Sequence, residues 1–219
     1  LSKNPNYEYE IIEDTSEKNL IEKLPKFDAC TLRVSKLNEN ILSNCKNLKV
    51  ISRHGVGYDN VDLNYIKKKN ISLLITASAN AIAVVEHVFT MMLSLSKKMS
   101  VYDQEVRKGN FKKNAHAIET LEMYNKVIFI VGFGRIGQTL IKRCIGFDMK
   151  VNVFDPFVDK KIIEQFGGKK IESLEDGLKN CDYLSLHVPL TNNTKNLINY
   201  TKLRLMKKNS IVINTARGG

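Results

Sequence analysis

The feature that most constrains this chain is a hexapeptide, Gly132-Phe133-Gly134-Arg135-Ile136-Gly137, set between two segments of different periodicity. Before it, Lys126 to Val131 (KVIFIV) is a continuous apolar run, the pattern of a strand buried on both faces of a parallel sheet. After it, Arg135 to Gly146 places Ile136, Leu140, Ile141 and Cys144 on one helical face. Each glycine has a role in such a strand-turn-helix unit. Gly132 permits the tight turn, Gly134 lets the backbone approach a bound group, and Gly137 lets the helix lie close to the strand. The unpaired N–H groups at the helix start then make an anion site suited to a pyrophosphate. Asp155 lies 21 residues beyond Gly134, at the tip of the next strand, Lys150 to Phe154. An acid there accepts hydrogen bonds from a ribose diol, and its charge opposes a 2′-phosphate, which favours NAD over NADP.

The rest of the 219 residues supports this frame. Apolar runs alternate with helical patterns, the signature of α/β architecture with a parallel sheet. Strands are expected at Ala29–Val34, Leu48–Ser52, Ser72–Ile75, Tyr183–His187 and Ser210–Asn214, and helices at Asn38–Cys45, Val61–Lys69, Ser173–Asn180 and Lys202–Lys207. The segment 81–97 (AIAVVEHVFTMMLSLSK) is apolar on nearly every face, so it reads as a helix buried on most sides, connecting domains or forming a subunit interface. A polar stretch, Ser100 to Glu119, follows, and the domain boundary is placed near residue 99, dividing 1–99 from 100–219. The second half shows about four strands against the six of a complete doubly wound domain.

Composition narrows the partners. The net charge is +11, but 27 of the 34 basic residues are scattered lysines and 22 residues are Asn, a bias of the whole chain without a basic stripe. A nucleic-acid partner is therefore not expected, whereas an anionic substrate suits the charge. Cysteines at 30, 45, 144 and 181 have no CxxC or metal-ligand spacing, so buried free thiols and no metal are expected. Leu1 to Pro5 contains no apolar signal region, and no apolar run approaches the roughly 20 residues that span a bilayer. The expectation is a soluble, cytoplasmic protein with no membrane partner.

With the glycine loop in place, five further stretches carry a resemblance. They are Arg53-His54-Gly55-Val56-Gly57-Tyr58-Asp59-Asn60-Val61-Asp62, Asn80 to His87 (NAIAVVEH), Asp155-Pro156, Leu186-His187-Val188-Pro189-Leu190-Thr191, and Asn214-Thr215-Ala216-Arg217-Gly218-Gly219. In order and spacing the chain resembles the D-isomer-specific 2-hydroxyacid dehydrogenases, and within them the phosphoglycerate dehydrogenase-like members. The resemblance implies a Rossmann-like parallel-sheet NAD-binding domain plus a flavodoxin-like α/β substrate domain, both incomplete here. It implies NAD as cofactor, a small anionic 2-hydroxy or 2-keto acid as substrate with phosphoglycerate first, and a homodimer formed through helix 81–97.

Residue roles follow from the same resemblance. Arg217 matches the catalytic arginine, whose planar fork grips a carboxylate and polarises the neighbouring keto oxygen. Val56 and Gly57 match the loop whose N–H groups hold the substrate carboxylate, with Asn60 and Asp62 fixing that loop. Arg33 and Arg53 match basic positions near the substrate. Gly132, Gly134, Arg135, Ile136, Gly137, Asp155, Pro189, Thr191, Thr215 and Ala216 match cofactor positions, and His187 stands beside them without a catalytic role. Glu86 and His87 are neighbours on a helix, so they do not face each other and read as interface or structural groups. His54 and His116 carry no signal.

Three departures qualify the match. The catalytic glutamate and histidine that such a dehydrogenase needs lie downstream of Arg217 in the family pattern, beyond the last residue, so this 219-residue chain is expected to be inactive by itself. Asn125 and Phe129 replace glycines, and Phe129 is expected to alter packing near the cofactor loop. A usual first strand is not evident at residues 1–14. A non-catalytic, corepressor-like NAD sensor is the alternative reading, because one fold hosts both roles.

Overall fold

A computed structural model describes residues 6–76, 79–110 and 118–218. The chain divides into two compact units, Leu1–Ala79 and Asn80–Gly219.

The first unit carries a three-stranded parallel sheet: β1 (Ala29–Leu32), β2 (Val50–Arg53) and β3 (Ser72–Ile75), hydrogen-bonded in that order. Its helices are α1 (Glu17–Lys23), α2 (Glu39–Leu42) and α3 (Leu63–Lys68). Both α2 and α3 start where a short polar side chain accepts from the backbone: Asn38 from the N–H of Ile41, and Asp62 from that of Tyr65. Lys67 and Lys68 occupy the last turn of α3, at its negative pole. Leu32, Ile41, Leu42, Leu48, Ile51 and Ile66 close the core.

The second unit is larger. Its sheet is β4 (Val127–Val131), β5 (Lys150–Phe154), β6 (Lys169–Lys170), β7 (Tyr183–Leu186) and β8 (Ile211–Asn214), all parallel, in the spatial order β6-β5-β4-β7-β8. The five strands exceed the four expected, because the two-residue β6 is too short to leave an alternation in sequence. The chain winds outward from β4 to β6, then crosses back to β7, so the order reverses beside β4. Open α/β sheets bind ligands at such a switch point, off the carboxyl ends of the strands.

Alternation along β4 supplies both faces of the sheet. Ile128 and Ile130 join one buried cluster, and Phe129 and Val131 the other. On the first face lie α4 (Ala81–Ser96) and α6 (Arg135–Gly146), and on the second α8 (Leu174–Asn180); the unit also has α5 (Met99–Arg107), α7 (Lys160–Gln165) and α9 (Tyr200–Leu203) among its described residues.

Several expectations are corrected. The boundary falls after Ala79, not near residue 99, because Val85, Val88, Phe89 and Met92 of α4 share a core with Leu140, Ile141 and Cys144 of α6. Nor is α4 buried on most sides. One face is buried, while Ile82, Glu86, His87, Thr90 and Leu95 are exposed. Its last buried residue, Ser96, shares a 2.7 Å hydrogen bond with the Tyr183 hydroxyl, which ties α4 to β7. Part of the polar stretch after 99 is helical, as α5, although none of its residues is buried. The helix expected at 202–207 is only the short α9, which begins earlier, after Asn199 accepts from the N–H of Lys202, and ends at Leu203.

Phe129 does not crowd the cofactor loop. Its ring is fully buried against α8, and the helix makes room with a glycine: a Cβ on Gly177 would stand 2.1 Å from the ring. Asn125 takes a left-handed φ of 59°, which asparagine tolerates.

Candidate cofactor and substrate site

Register places the site. Val131 of β4 pairs with Phe154 of β5 and with Leu186 of β7, and Leu186 pairs with Asn214 of β8. The next residue of each strand, Gly132, Asp155, His187 and Thr215, therefore leaves the same sheet edge at one level. Four of the sequence-predicted positions meet there.

Gly132 turns with φ 96°, and a Cβ on it would stand 2.7 Å from the carbonyl oxygen of His187. Neither the conformation nor the space admits a side chain. Gly137 is crowded too: its Cβ would be 2.5 Å from the Gly132 carbonyl oxygen. A Cβ on Gly134 would meet nothing within 4 Å. The open space sits at the N-terminus of α6, a 12-residue helix with Gly134 as its N-cap. The loop between these glycines is anchored from below, since Phe133 is buried and packs edge-to-face on Phe166, ring centroids 5.5 Å apart. Arg135 is exposed at the first helical position, and Ile136 packs against the core.

Asp155 is tied to this loop. Its Oδ2 accepts from the N–H of Phe133 at 2.8 Å, and its Oδ1 from that of Phe157 at 2.9 Å. Each carboxylate oxygen keeps a further lone pair, so the group can hold the loop and still accept from a diol.

His187 turns inward. Its Nε2 lies 2.8 Å from the Ser185 hydroxyl, its Nδ1 is buried without a hydrogen-bond partner, and burial pushes its pKa down to about 4. It is a neutral imidazole behind the glycine turn. Pro189 and Thr191 lie on the following loop, which Thr194 organises. The Thr194 hydroxyl donates to the Pro189 carbonyl and accepts from the N–H of Thr191. Sequence reasoning missed Thr194 and Ser185; the only signal was a hydroxyl residue three positions after Thr191 and two before His187.

Arg217 lies past β8, half-buried, with Nη1 donating to the Ala216 carbonyl at 2.8 Å. Two hollows flank this segment. One, of about 320 Å³, is lined by Ala83, Val84, His87, Met91, Asn214 and Thr215. The other, of about 90 Å³, includes Pro189, Thr194, Ala216 and Arg217 in its wall. The Thr215 hydroxyl is buried with no hydrogen-bond partner. Glu86 and His87 are both exposed, and His87 reaches the larger hollow.

In the first unit, Arg53 is the last residue of β2, and Val56 and Gly57 follow it closely. Gly55 has φ 140°, its N–H donates to the Thr76 hydroxyl at 2.7 Å, and the Arg53 guanidinium fills the space where its Cβ would be. Arg53 donates to the His54 carbonyl, and its Nε is buried without a hydrogen-bond partner. Val56 is exposed, Gly57 half-buried and Arg33 exposed beyond β1. Asn60 and Asp62 act on the loop, as expected. The Asn60 amide donates to the Ser35 carbonyl at 2.7 Å, and Asp62 caps α3. His116 lies outside the described residues.

All four cysteines are free; Cys45, Cys144 and Cys181 are buried and Cys30 is half-buried. Burial pushes the Cys30 and Cys144 thiols up to about 12 and Cys181 to about 11. Among the described residues no cluster of His, Cys, Asp or Glu could hold a metal ion, and no helix is long and apolar enough to cross a membrane.

Fold and site together define a dinucleotide-binding protein of the doubly wound class. The chain belongs to the D-isomer specific 2-hydroxyacid dehydrogenase family, and residues 89–219 match that family's NAD-binding domain. It is 32% identical over 213 residues to D-3-phosphoglycerate dehydrogenase of Methanocaldococcus jannaschii, covering 97% of this chain and 40% of that protein. It is 34% identical over 214 residues to hydroxypyruvate reductase of Thermotoga maritima, covering 97% and 68%. Among solved structures, D-lactate dehydrogenase from Aquifex aeolicus complexed with NAD and lactic acid superposes with a TM-score of 0.82 at 34% identity, covering 90% of this chain and 59% of the other. The chain thus spans about 40% of the length of the phosphoglycerate dehydrogenases that it matches.

The residues present fit NAD. The open space over Gly134 accepts a pyrophosphate without a side-chain clash, and Asp155 retains acceptors for the ribose.

Proposed function

We propose that the whole protein is an NAD-dependent oxidoreductase acting on a small anionic D-2-hydroxy acid or 2-keto acid, with 3-phosphoglycerate the first candidate. One observation carries the reading: Gly132, Asp155, His187 and the Thr215–Arg217 segment leave one sheet edge at one level. NAD(H), when bound, supplies or accepts the hydride. Gly132, Gly134, Arg135, Ile136 and Gly137 hold its pyrophosphate at the start of α6. Asp155 accepts from the adenosine ribose, and Pro189, Thr191, Thr215 and Ala216 line the cleft. Arg217 grips the substrate carboxylate and draws electron density from the neighbouring oxygen. In the first unit, Val56 and Gly57 offer backbone N–H groups suited to a carboxylate, and Arg33 and Arg53 favour an acidic substrate.

His187 is not the proton donor. Ser185 engages its Nε2, and its depressed pKa leaves it unprotonated at neutral pH. The reading leaves proton transfer to the family's downstream glutamate and histidine. The relatives named above are dehydrogenases and a reductase, so the cofactor-sensing alternative is not carried forward. A homodimer through α4 is part of the proposal, supported by the apolar Ile82 and Leu95 that this helix leaves exposed on either flank of its buried stripe, and so is a cytoplasmic location.

The test is NADH fluorescence on binding, followed in parallel with NADH oxidation against glyoxylate, hydroxypyruvate, pyruvate and 3-phosphohydroxypyruvate. NADH binding weakened at least tenfold by Asp155→Ala supports the reading. Absence of NADH binding overturns it.

A further inference from the structure

We propose that Asn214 is the positioning residue that presents Arg217 to a substrate carboxylate. The inference rests on the role given to Arg217 above. Asn214 is the last residue of β8, and both ends of its amide are used on the three residues that follow. Its Oδ1 accepts from the N–H of Ala216 at 3.0 Å, and its Nδ2 donates to the carbonyl oxygen of Arg217 at 2.7 Å. The first bond is an Asx-turn. The second closes a ring over Thr215, Ala216 and Arg217, which restrains their backbone dihedrals together. The Arg217 guanidinium folds back onto the Ala216 carbonyl, so its root and its head are tied to the same short loop.

The loop is also a partition. Asn214 lines both hollows, with Thr215 on the side of α4 and with Ala216 and Arg217 on the other side. A shift of its backbone therefore moves Arg217 and Thr215 together. A displacement of about 1 Å at a reacting group can lower the rate on the order of a hundredfold. The residue type is specific: only a short side chain with both a donor and an acceptor makes this pair of bonds. Asp keeps the acceptor and loses the donor, Ser reaches one partner at most, and Ala reaches neither.

The experiment is a double-mutant cycle. Binding of oxamate, an isostere of a 2-keto acid, is titrated into the NADH-saturated 219-residue chain for wild type, Asn214→Ala, Arg217→Lys and the double variant. Hydrogen exchange at the Ala216 amide is followed alongside. Asn214→Ala is expected to weaken oxamate about tenfold, to speed Ala216 exchange, and to add less than about twofold in the Arg217→Lys background, because coupled residues are not additive. Asn214→Asp should fall between wild type and Asn214→Ala, and it serves as the second variant should the alanine form not fold. Full additivity, or unchanged oxamate binding with faster exchange, overturns the proposal while leaving the functional reading intact. A wild-type chain that binds NADH but no oxamate overturns the role of Arg217, and this proposal with it.

Discussion

Two glycine-led loops end parallel strands in this chain, and they are held by different means. At Gly132 the left-handed turn is enclosed by backbone, the His187 carbonyl on one side, and a 12-residue helix continues it. At Gly55 the turn is enclosed by the end of a flexible side chain, Arg53, and by one hydroxyl, Thr76, with Val56 and Tyr58 exposed beyond it. The first loop is set before any ligand arrives. The second depends on a guanidinium that can leave. For the proposed dehydrogenase, rigidity at the loop assigned to the cofactor and adaptability at the loop assigned to the acid is a sensible division. The comparison can be broken by experiment.

Gly132→Ala should have the largest effect. A side chain there meets both a strained φ and an unyielding carbonyl, so a loss of about 3 kcal/mol or more is expected, with NADH binding abolished. Denaturant melts and NADH titration check it, and a variant that still binds NADH would show the loop to be softer than described.

Acid should act next, through His187 behind the same turn. Its folded pKa, about 4, lies below the ordinary 6.5, so the unfolded state binds more protons between these values. The stability is whole above pH 6.5 and is lost as pH falls toward 4, by up to about 3 kcal/mol. Denaturation midpoints across this window should fall in wild type and flatten in His187→Asn. Equal slopes in both would remove His187 from the account.

Gly55→Ala should be milder, about 1 kcal/mol, since the Arg53 head can swing away and only the φ strain remains. Its mark should be a change in substrate-analogue affinity with NADH affinity unchanged. A loss as large as that of Gly132→Ala would end the contrast between the two loops.

The glycine loop, β4, β5 and Asp155 were legible in sequence because each rests on local periodicity and on residue types with one physical use. The flanking polar machinery was not. Thr194, Ser185 and Asn214 act through side-chain hydrogen bonds to residues two to five positions away, and a lone Thr, Ser or Asn carries no pattern. Short elements were also hidden: β6 has two residues, too few to alternate, and α5 carries only Met99, Tyr102 and Val106 as an apolar stripe within a polar stretch and buries none of them. The boundary was misplaced because an apolar helix between two domains looks the same whichever core it joins. Only the packing of α4 onto α6 and β8 decides that.

The Phe129–Gly177 contact has a consequence for exchanging parts among relatives. The strand and the helix share one volume, divided as a large ring and a missing side chain. A homologous strand with glycine at position 129 would leave a hollow under α8, and a homologous helix with alanine at 177 would collide with the ring. The two segments travel as a matched set, and a chimera that cuts between them inherits either a void or a clash.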